Sequence, residues 1–307
     1  IGPAGPAGPA GPAGPAGEFS TTDLTCTQCH DSSSRITGKL EAWNESLHGT
    51  GEAYVRGESG SCAACHSGGA FVDMVETGAA PNNYGVGDPN STRQDCRTCH
   101  TLHTTYTEDD WALRTTDAVN LYAFEGVTYD GGEGNLCANC HQPRRSIADP
   151  DEDGIISITS THWGPHHGPQ SAMLMGQGGA GSAADGSAGM HYNLVEDTCV
   201  SCHLGEGADH SFEPEVDACT ACHTDAENFD IGGVQTEVQA MLDELREGLV
   251  ALGYLDEEGH PVVSDPPAEL AAAAWNYIFI ALEDKSKGAH NPGYTRDLLE
   301  ASIASLP

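Results

Sequence analysis

Cys199-Val-Ser-Cys-His203 is followed in the same stretch by Cys219-Thr-Ala-Cys-His223. Each is the C-x-x-C-H unit to which c-type haem is attached. Two thiols add to the two vinyl groups of the porphyrin, and the adjoining imidazole becomes an axial ligand of the iron. Working outward, the unit recurs at Cys26–His30, Cys62–His66, Cys96–His100 and Cys137–His141. The pairs Cys26 and Cys29, Cys62 and Cys65, Cys96 and Cys99, Cys137 and Cys140, Cys199 and Cys202, and Cys219 and Cys222 thus use all 12 cysteines. One such unit alone would also suit a redox dithiol or half a zinc site. Six that exhaust the cysteines leave no sulfur for either, nor for disulfides. The sequence predicts six haem c groups, with His30, His66, His100, His141, His203 and His223 as proximal ligands.

The 307 residues carry one unit per roughly 51 residues. At that density haem replaces much of an apolar core, which accounts for a hydrophobic content of 38% with only 6% aromatic residues. The expected fold is mostly irregular coil with short α-helices wrapped around a chain of six c-type haems, C-terminal α-helices and little β-structure. Three regions are expected: a collagen-like tail over 1–18, a haem-binding body over 19–230, and a C-terminal helical segment over 231–307. The net charge of −34, from 46 acidic against 12 basic residues, leaves nothing to neutralise phosphates and excludes nucleic acid as a partner. It suits solubility, docking to basic partners, or contact with divalent cations and mineral surfaces. No stretch reaches the length and apolarity of a membrane span. A start at Ile1 rather than Met, with haem attachment that normally follows export, predicts a processed protein at the cell surface or outside the cell, with the periplasm as the alternative.

In chain order, Gly2–Ala16 is five Gly-Pro-Ala triplets, the collagen repeat; it is a semi-rigid spacer or a subunit contact. Leu40, Trp43 and Leu47 are spaced for a short helix presenting His48 at its end. His103 follows His100 by three residues and points away from that unit's own iron, toward a neighbouring haem. Arg144 and Arg145 follow the fourth unit and suit propionate pairing. Asp149, Asp151, Asp153 and the Ile155 carbonyl match the first half of a calcium loop, with Ser160 in place of the final Glu, so calcium is a candidate second cofactor. The glycine-rich run 176–189 is expected to be an irregular loop on haem or on a partner. Val234 to Leu252 has the period of an amphipathic helix. Ser264-Asp265-Pro266 reads as the start of a helix over 267–284, and a last helix lies within 294–305.

Nine further histidines remain after the six proximal ones: His48, His103, His162, His166, His167, His191, His210, His260 and His290. Six irons need six more ligands if none is open. The expected distal set is His48, His103, His167, His191, His210 and His290, with His166 as a near equal of His167 and His162 as a further candidate. His260, in a Glu-Glu-Gly-His-Pro loop, fits least. Iron closed on both sides carries electrons and has no room for substrate. No unit departs from C-x-x-C-H, so no site is marked as an open, catalytic iron.

The stretch Lys285-Ser-Lys-Gly-Ala-His290-Asn-Pro-Gly-Tyr294 resembles the C-terminal distal-ligand motif of multihaem cytochromes related to cytochrome c nitrite reductase. The Trp43 to His48 helix, Cys96-Arg-Thr-Cys-His-Thr-Leu-His103, Gly164-Pro-His-His-Gly-Pro-Gln170 and His210-Ser-Phe-Glu-Pro214 are similar to units of that group. Together they cover most of residues 20–300, and the branch most resembled is the extracellular cytochromes that polymerise into conductive filaments, or nanowires. The resemblance implies stacked haems, bis-histidine ligation and subunits joined end to end. The expected partners are further copies of the chain, redox-partner cytochromes and extracellular electron acceptors. The expected function is a hexahaem electron conduit rather than an enzyme. A monomeric periplasmic or surface shuttle, and an oxyanion reductase with one open haem, are the alternatives.

Overall fold

The computed structural model describes residues 34–205 and 207–307. The Gly-Pro-Ala tail and the Cys26–His30 unit lie outside the described residues. Most of the described chain is coil and turn joined by short helices. In order these are α1 (Ser34–Glu45), α2 (Leu47–Thr50), α3 (Ala63–His66), α4 (Gly68–Thr77), α5 (Cys96–Cys99), α6 (Asn135–Ala138), α7 (Gln170–Met175), α8 (Met190–Leu194) and α9 (Cys199–His203). Among the described residues, strand pairing beyond isolated bridges is confined to β1 (Val119–Asn120) against antiparallel β2 (Thr128–Tyr129), with Val119 facing Tyr129.

The attachment units form single helical turns for a reason. Two cysteines three residues apart share one face of a helix, with the histidine one step further, so both sulfurs and the imidazole serve one side. A capping side chain starts one of these turns and two of the neighbouring helices. Asp95 caps α5 with a reciprocal box to Thr98, Ser46 accepts the Gly49 amide at α2, and Ser67 accepts the Ala70 amide at α4. The helix expected to end in His48 is broken at Ser46, because the Ser46 side chain caps the following turn instead of continuing α1.

The last third of the chain builds an ordinary apolar core. Helix α10 (Val234–Ala251) buries Val238, Leu242, Leu245 and Leu249 along one stripe. Helix α11 (Ala268–Tyr277) is buried on nearly every side and opens into a π-helix at Ile278–Asp284. Helix α12 (Pro292–Ala304) begins with Asn291 as cap and Pro292 at its first turn, and buries Tyr294, Leu298 and Leu299. The start of α11 differs from expectation. Ser264 pairs with Ile158 and Asp265 accepts the Ser157 hydroxyl at 2.6 Å, so both serve a crossing segment, and Pro267 holds the capping position.

The glycine-rich run also differs from expectation: it packs on these helices. Trp275 Nε1 donates to the Gly178 carbonyl at 2.9 Å, and Tyr294 accepts the Gly179 amide at 2.9 Å. Asn276, buried, exchanges two hydrogen bonds with the Ala180 backbone. Gly186 lies under the Tyr294 ring, where a Cβ would fall 2.2 Å from Cδ2.

Elsewhere apolar burial is thin. Small clusters surround Phe71 with Met74, and Val119 with Tyr129. Between 190 and 230 no hydrophobic side chain is buried. Leu298→Ala is therefore expected to cost about 2–5 kcal/mol, as for a fully buried leucine, measured by urea unfolding followed by far-ultraviolet circular dichroism. A loss below about 0.5 kcal/mol would show that the C-terminal core does not carry stability.

Candidate haem-binding site

Five pairs of histidines face one another across gaps of the same width. The ring centroids of His48 and His141, and of His66 and His166, are 6.1 Å apart. His100 and His210, and His191 and His223, are separated by 6.2 Å, and His203 and His290 by 6.3 Å. Two imidazoles bonded through nitrogen to one metal ion, at about 2 Å per bond, have centroids about 6 Å apart. Each pair contains one histidine of a C-x-x-C-H unit and one from elsewhere in the chain.

The ring nitrogens turn the right way. His100 Nδ1 donates to the Trp111 carbonyl at 2.7 Å, His203 to that of Phe212 at 2.9 Å and His141 to Gln170 Oε1 at 3.2 Å. Among the partners, His191 donates to the Ala289 carbonyl at 2.6 Å and His210 to that of Ala208 at 2.7 Å. An oxygen acceptor at Nδ1 fixes the tautomer and leaves Nε2 bare for a metal. His290 differs, because its Nδ1 donates to the Asp284 carboxylate at 2.6 Å. Burial first, then the charge of His141, pushes His48 down to about 4. Burial first, then the charges of His167, Arg144 and His66, pushes His166 down to about 4. Both rings are neutral at neutral pH, as a metal ligand must be.

The second, third and fourth units open into one continuous cavity of about 1490 Å³. That exceeds the roughly 300–1,000 Å³ of ordinary small-molecule pockets. Leu47, which lines this cavity beside His48, is 86% exposed. Uniform histidine gaps, bare Nε2 atoms, paired thiols and an outsized cavity together fit haem c. Arg144 lines the cavity, and among the described residues neither it nor Arg145 makes an ion pair, which leaves both charges for propionates.

The units adjoin in space. Cys65 Sγ lies 3.7 Å from the Asn139 carbonyl oxygen inside the fourth unit, and Cys199 Sγ lies 3.9 Å from the Gly134 carbonyl oxygen just before it. The second contact depends on glycine. A Cβ at Gly134 would lie 2.1 Å from Thr198 Oγ1, and one at Gly131 would lie 2.6 Å from the same atom. The backbone before α6 therefore rests directly on the start of α9.

Most of the sequence-derived candidates meet here, and the differences have physical causes. His166 rather than His167 faces His66, since His166 takes a left-handed backbone (φ 78°) that turns its ring inward. His167 points to Glu283, its Nδ1 donating to Oε2 at 2.5 Å. His103 lines the cavity on a tight loop where the amides of His103, Thr104, Thr105 and Tyr106 all donate to the Asp110 carboxylate. Burial works to raise the Asp110 pKa, but the hydrogen bonds from Thr105, Tyr106 and His103 outweigh it and hold it low. His162 and His260 are exposed and away from the cavity, His260 beside Asp256.

In the acidic turn, Asp151 accepts the amides of Asp153 and Ile155 at 3.0 and 2.9 Å, and Asp149, Asp151 and Asp153 are exposed. Among the described residues no group of three or more His, Cys, Asp or Glu is arranged to hold a metal ion by itself. Sequence reasoning missed Asp110, Gln170 and Asp284, which orient histidines. Gln170 closes the Gly164–Gln170 stretch but carries no signal of this role there, and for all three only the distance from the histidines reveals it.

Among solved structures, the outer cell wall cytochrome OcwA shares this fold, with a TM-score of 0.55 at 19% identity over 88% of this chain and 50% of that chain. The chain spans half the length of that neighbour. No family model matches the sequence, and no curated protein matches it. Among the described residues no helix is long and apolar enough to cross a membrane.

Two substitutions test this geometry. Asp110→Ala is expected to speed hydrogen exchange at the amides of His103, Thr105 and Tyr106, and unchanged exchange would show that the carboxylate does not hold the loop. Gly134→Ala is expected to lower thermal stability by driving a methyl group into Thr198, whereas an unaltered melting temperature would mean the two segments do not touch.

Proposed function

We propose that the chain is a hexahaem c-type cytochrome that relays electrons through irons ligated by histidine on both sides. The observation that carries this is the set of five histidine pairs at 6.1–6.3 Å, each joining an attachment unit to a distant residue. When bound, haem c supplies a one-electron couple. The chain's residues do the rest. Cys62 and Cys65, Cys96 and Cys99, Cys137 and Cys140, Cys199 and Cys202, and Cys219 and Cys222 fix five groups. His166, His210, His48, His290 and His191 respectively close their far sides. Cys26, Cys29 and His30 hold the sixth, and His103 is the proposed ligand opposite His30.

Closing both faces excludes substrate and keeps each iron in one coordination geometry. The approach of Cys65 to the Asn139 carbonyl, and of Cys199 to the Gly134 carbonyl, supports a relay running from the second unit through the fourth to the fifth. Export to the cell surface agrees with covalent haem attachment and with the cell wall cytochrome whose fold it shares. End-to-end assembly into a conductive filament, with outside electron acceptors, is the finer reading, and it rests on the resemblance of Lys285–Tyr294 and the other units described above.

The ferric, haem-loaded protein is expected to show low-spin electron paramagnetic resonance signals throughout, and the ferrous form to bind no carbon monoxide. A stoichiometric high-spin signal in the native protein would overturn electron relay as the sole role. His290→Ala is expected to convert about one haem in six to high spin; an unchanged spectrum would remove His290 from the ligands. Electron microscopy of material from the cell exterior tests assembly: filaments support it, and discrete particles alone refute it.

A further inference from the structure

Four orienting acceptors around these histidine pairs are neutral backbone carbonyls, on Trp111, Ala208, Phe212 and Ala289, and a fifth is the Gln170 side-chain amide. Asp284 is the exception. It ends the π-helical stretch, its side chain is 0% exposed, and Oδ1 sits 2.6 Å from His290 Nδ1. The other oxygen accepts the Ser286 hydroxyl at 2.5 Å and the Ser286 amide at 3.2 Å. Among the described residues no lysine or arginine comes within ion-pair distance of it. The charge is therefore presented to His290 undiluted by a second cation.

The wider-pitched π turn makes this placement. Glu283 and Asp284 are consecutive, yet one reaches His167 and the other His290. Such turns recur at functional sites because they aim side chains a regular helix would misplace. Burial matters equally, since a carboxylate in a poorly polarisable interior acts more strongly than one in water.

We propose that Asp284 sets the potential of the centre held by Cys199, Cys202, His203 and His290, making it the lowest of the five described centres. This rests on the ligand assignment proposed above. The Asp284 carboxylate beside the far nitrogen pulls the N–H proton toward itself and gives the ring imidazolate character, raising its basicity as a ligand. The more basic ligand and the nearby charge both favour the ferric form over the ferrous one. The couple adds one electron to the iron, with no bond made or broken. An internal comparison is built in. Ala289 and His290 are neighbours, and the Ala289 carbonyl orients His191, the partner of His223 in the sixth unit. One turn thus gives two adjoining centres a neutral and an anionic support, and with them a step in potential. Asp284 acts as a positioning residue, through His290.

The test is a spectroelectrochemical titration of the haem-loaded full chain at fixed pH, with native protein, Asp284→Asn and Asp284→Glu compared. Asparagine keeps a hydrogen-bond acceptor and removes the charge. In Asp284→Asn, one of the six components, the lowest or next to lowest in the native protein, is expected to rise by at least tenfold in its reduction equilibrium, about 59 mV for one electron. The low-spin resonance of that haem should shift with it, and Asp284→Glu should restore most of the native value. An Asp284→Asn protein with all haems low-spin and neither of the two lowest components moved would overturn the proposal. Should that variant fail to load six haems, Ser286→Ala takes its place. Removing one donor from the carboxylate concentrates its charge, so the same component should fall, and an unmoved or rising component refutes the role. His290→Ala separates this failure from failure of the ligand assignment: without a new high-spin signal, the assignment itself is wrong.

Discussion

A gap of 6.1–6.3 Å between two imidazoles, repeated five times, is the constraint on which the rest of the body depends. Neutral histidine rings do not hold one another at that distance by themselves, because it is too wide for close packing and too narrow for a side chain between them. Four of the gaps are maintained from behind. Carbonyls of Trp111, Phe212, Ala208 and Ala289 and the side chains of Gln170 and Asp284 grip Nδ1 atoms. Loops that would otherwise seem irregular are shaped by this task. The 103–110 segment wraps four amides around Asp110, and the next residue, Trp111, presents its carbonyl to His100.

Two kinds of stabilisation divide the molecule. The C-terminal helices and the glycine-rich run form a closed apolar core around Leu245, Leu249, Trp275, Phe279 and Leu298. Around the attachment units there is little such core, and Leu47 lies open to the cavity beside His48. On the proposed reading, porphyrin supplies the missing apolar mass there. The C-terminal core then acts as an anchor. From it the Asp284–Asn291 turn reaches the fifth and sixth units, and Asn291 ties that turn to the Met173 and Ser187 carbonyls.

Much of this was legible in the residues. The C-x-x-C-H spacing carried the attachment units, the 3- and 4-residue apolar steps carried α10, and the low aromatic content with dense units carried the coil-rich architecture. Distal partners were harder, because they join residues far apart in the chain: nothing near His100 names His210, and nothing near His66 names His166. The choice between His166 and His167 turned on a left-handed backbone at His166, which no composition reveals. The π turn was equally hidden, since Ala268 to Asp284 reads as one continuous helix until Glu283 and Asp284 are seen serving different histidines. The glycine run was read as a loop on haem or a partner, yet its small residues serve the close approach of Tyr294 and Leu298.

The order of the histidine pairs along the chain has a consequence for how the protein matures. His48 precedes His141, and His191 precedes His223, so a chain emerging from its amino end already carries the second ligand when those two units appear. His66, His100 and His203 come before His166, His210 and His290. On the proposed assignment, their irons wait half-coordinated while on the order of a hundred further residues emerge, with a loop-closure cost that grows only slowly with length. For His203 the wait extends to the Asp284–Asn291 turn, which the last helix must hold in place. Truncation between His223 and His290 would then leave the fifth unit without its second ligand. On that assignment, the turn that carries His290 closes the last of the five described pairs.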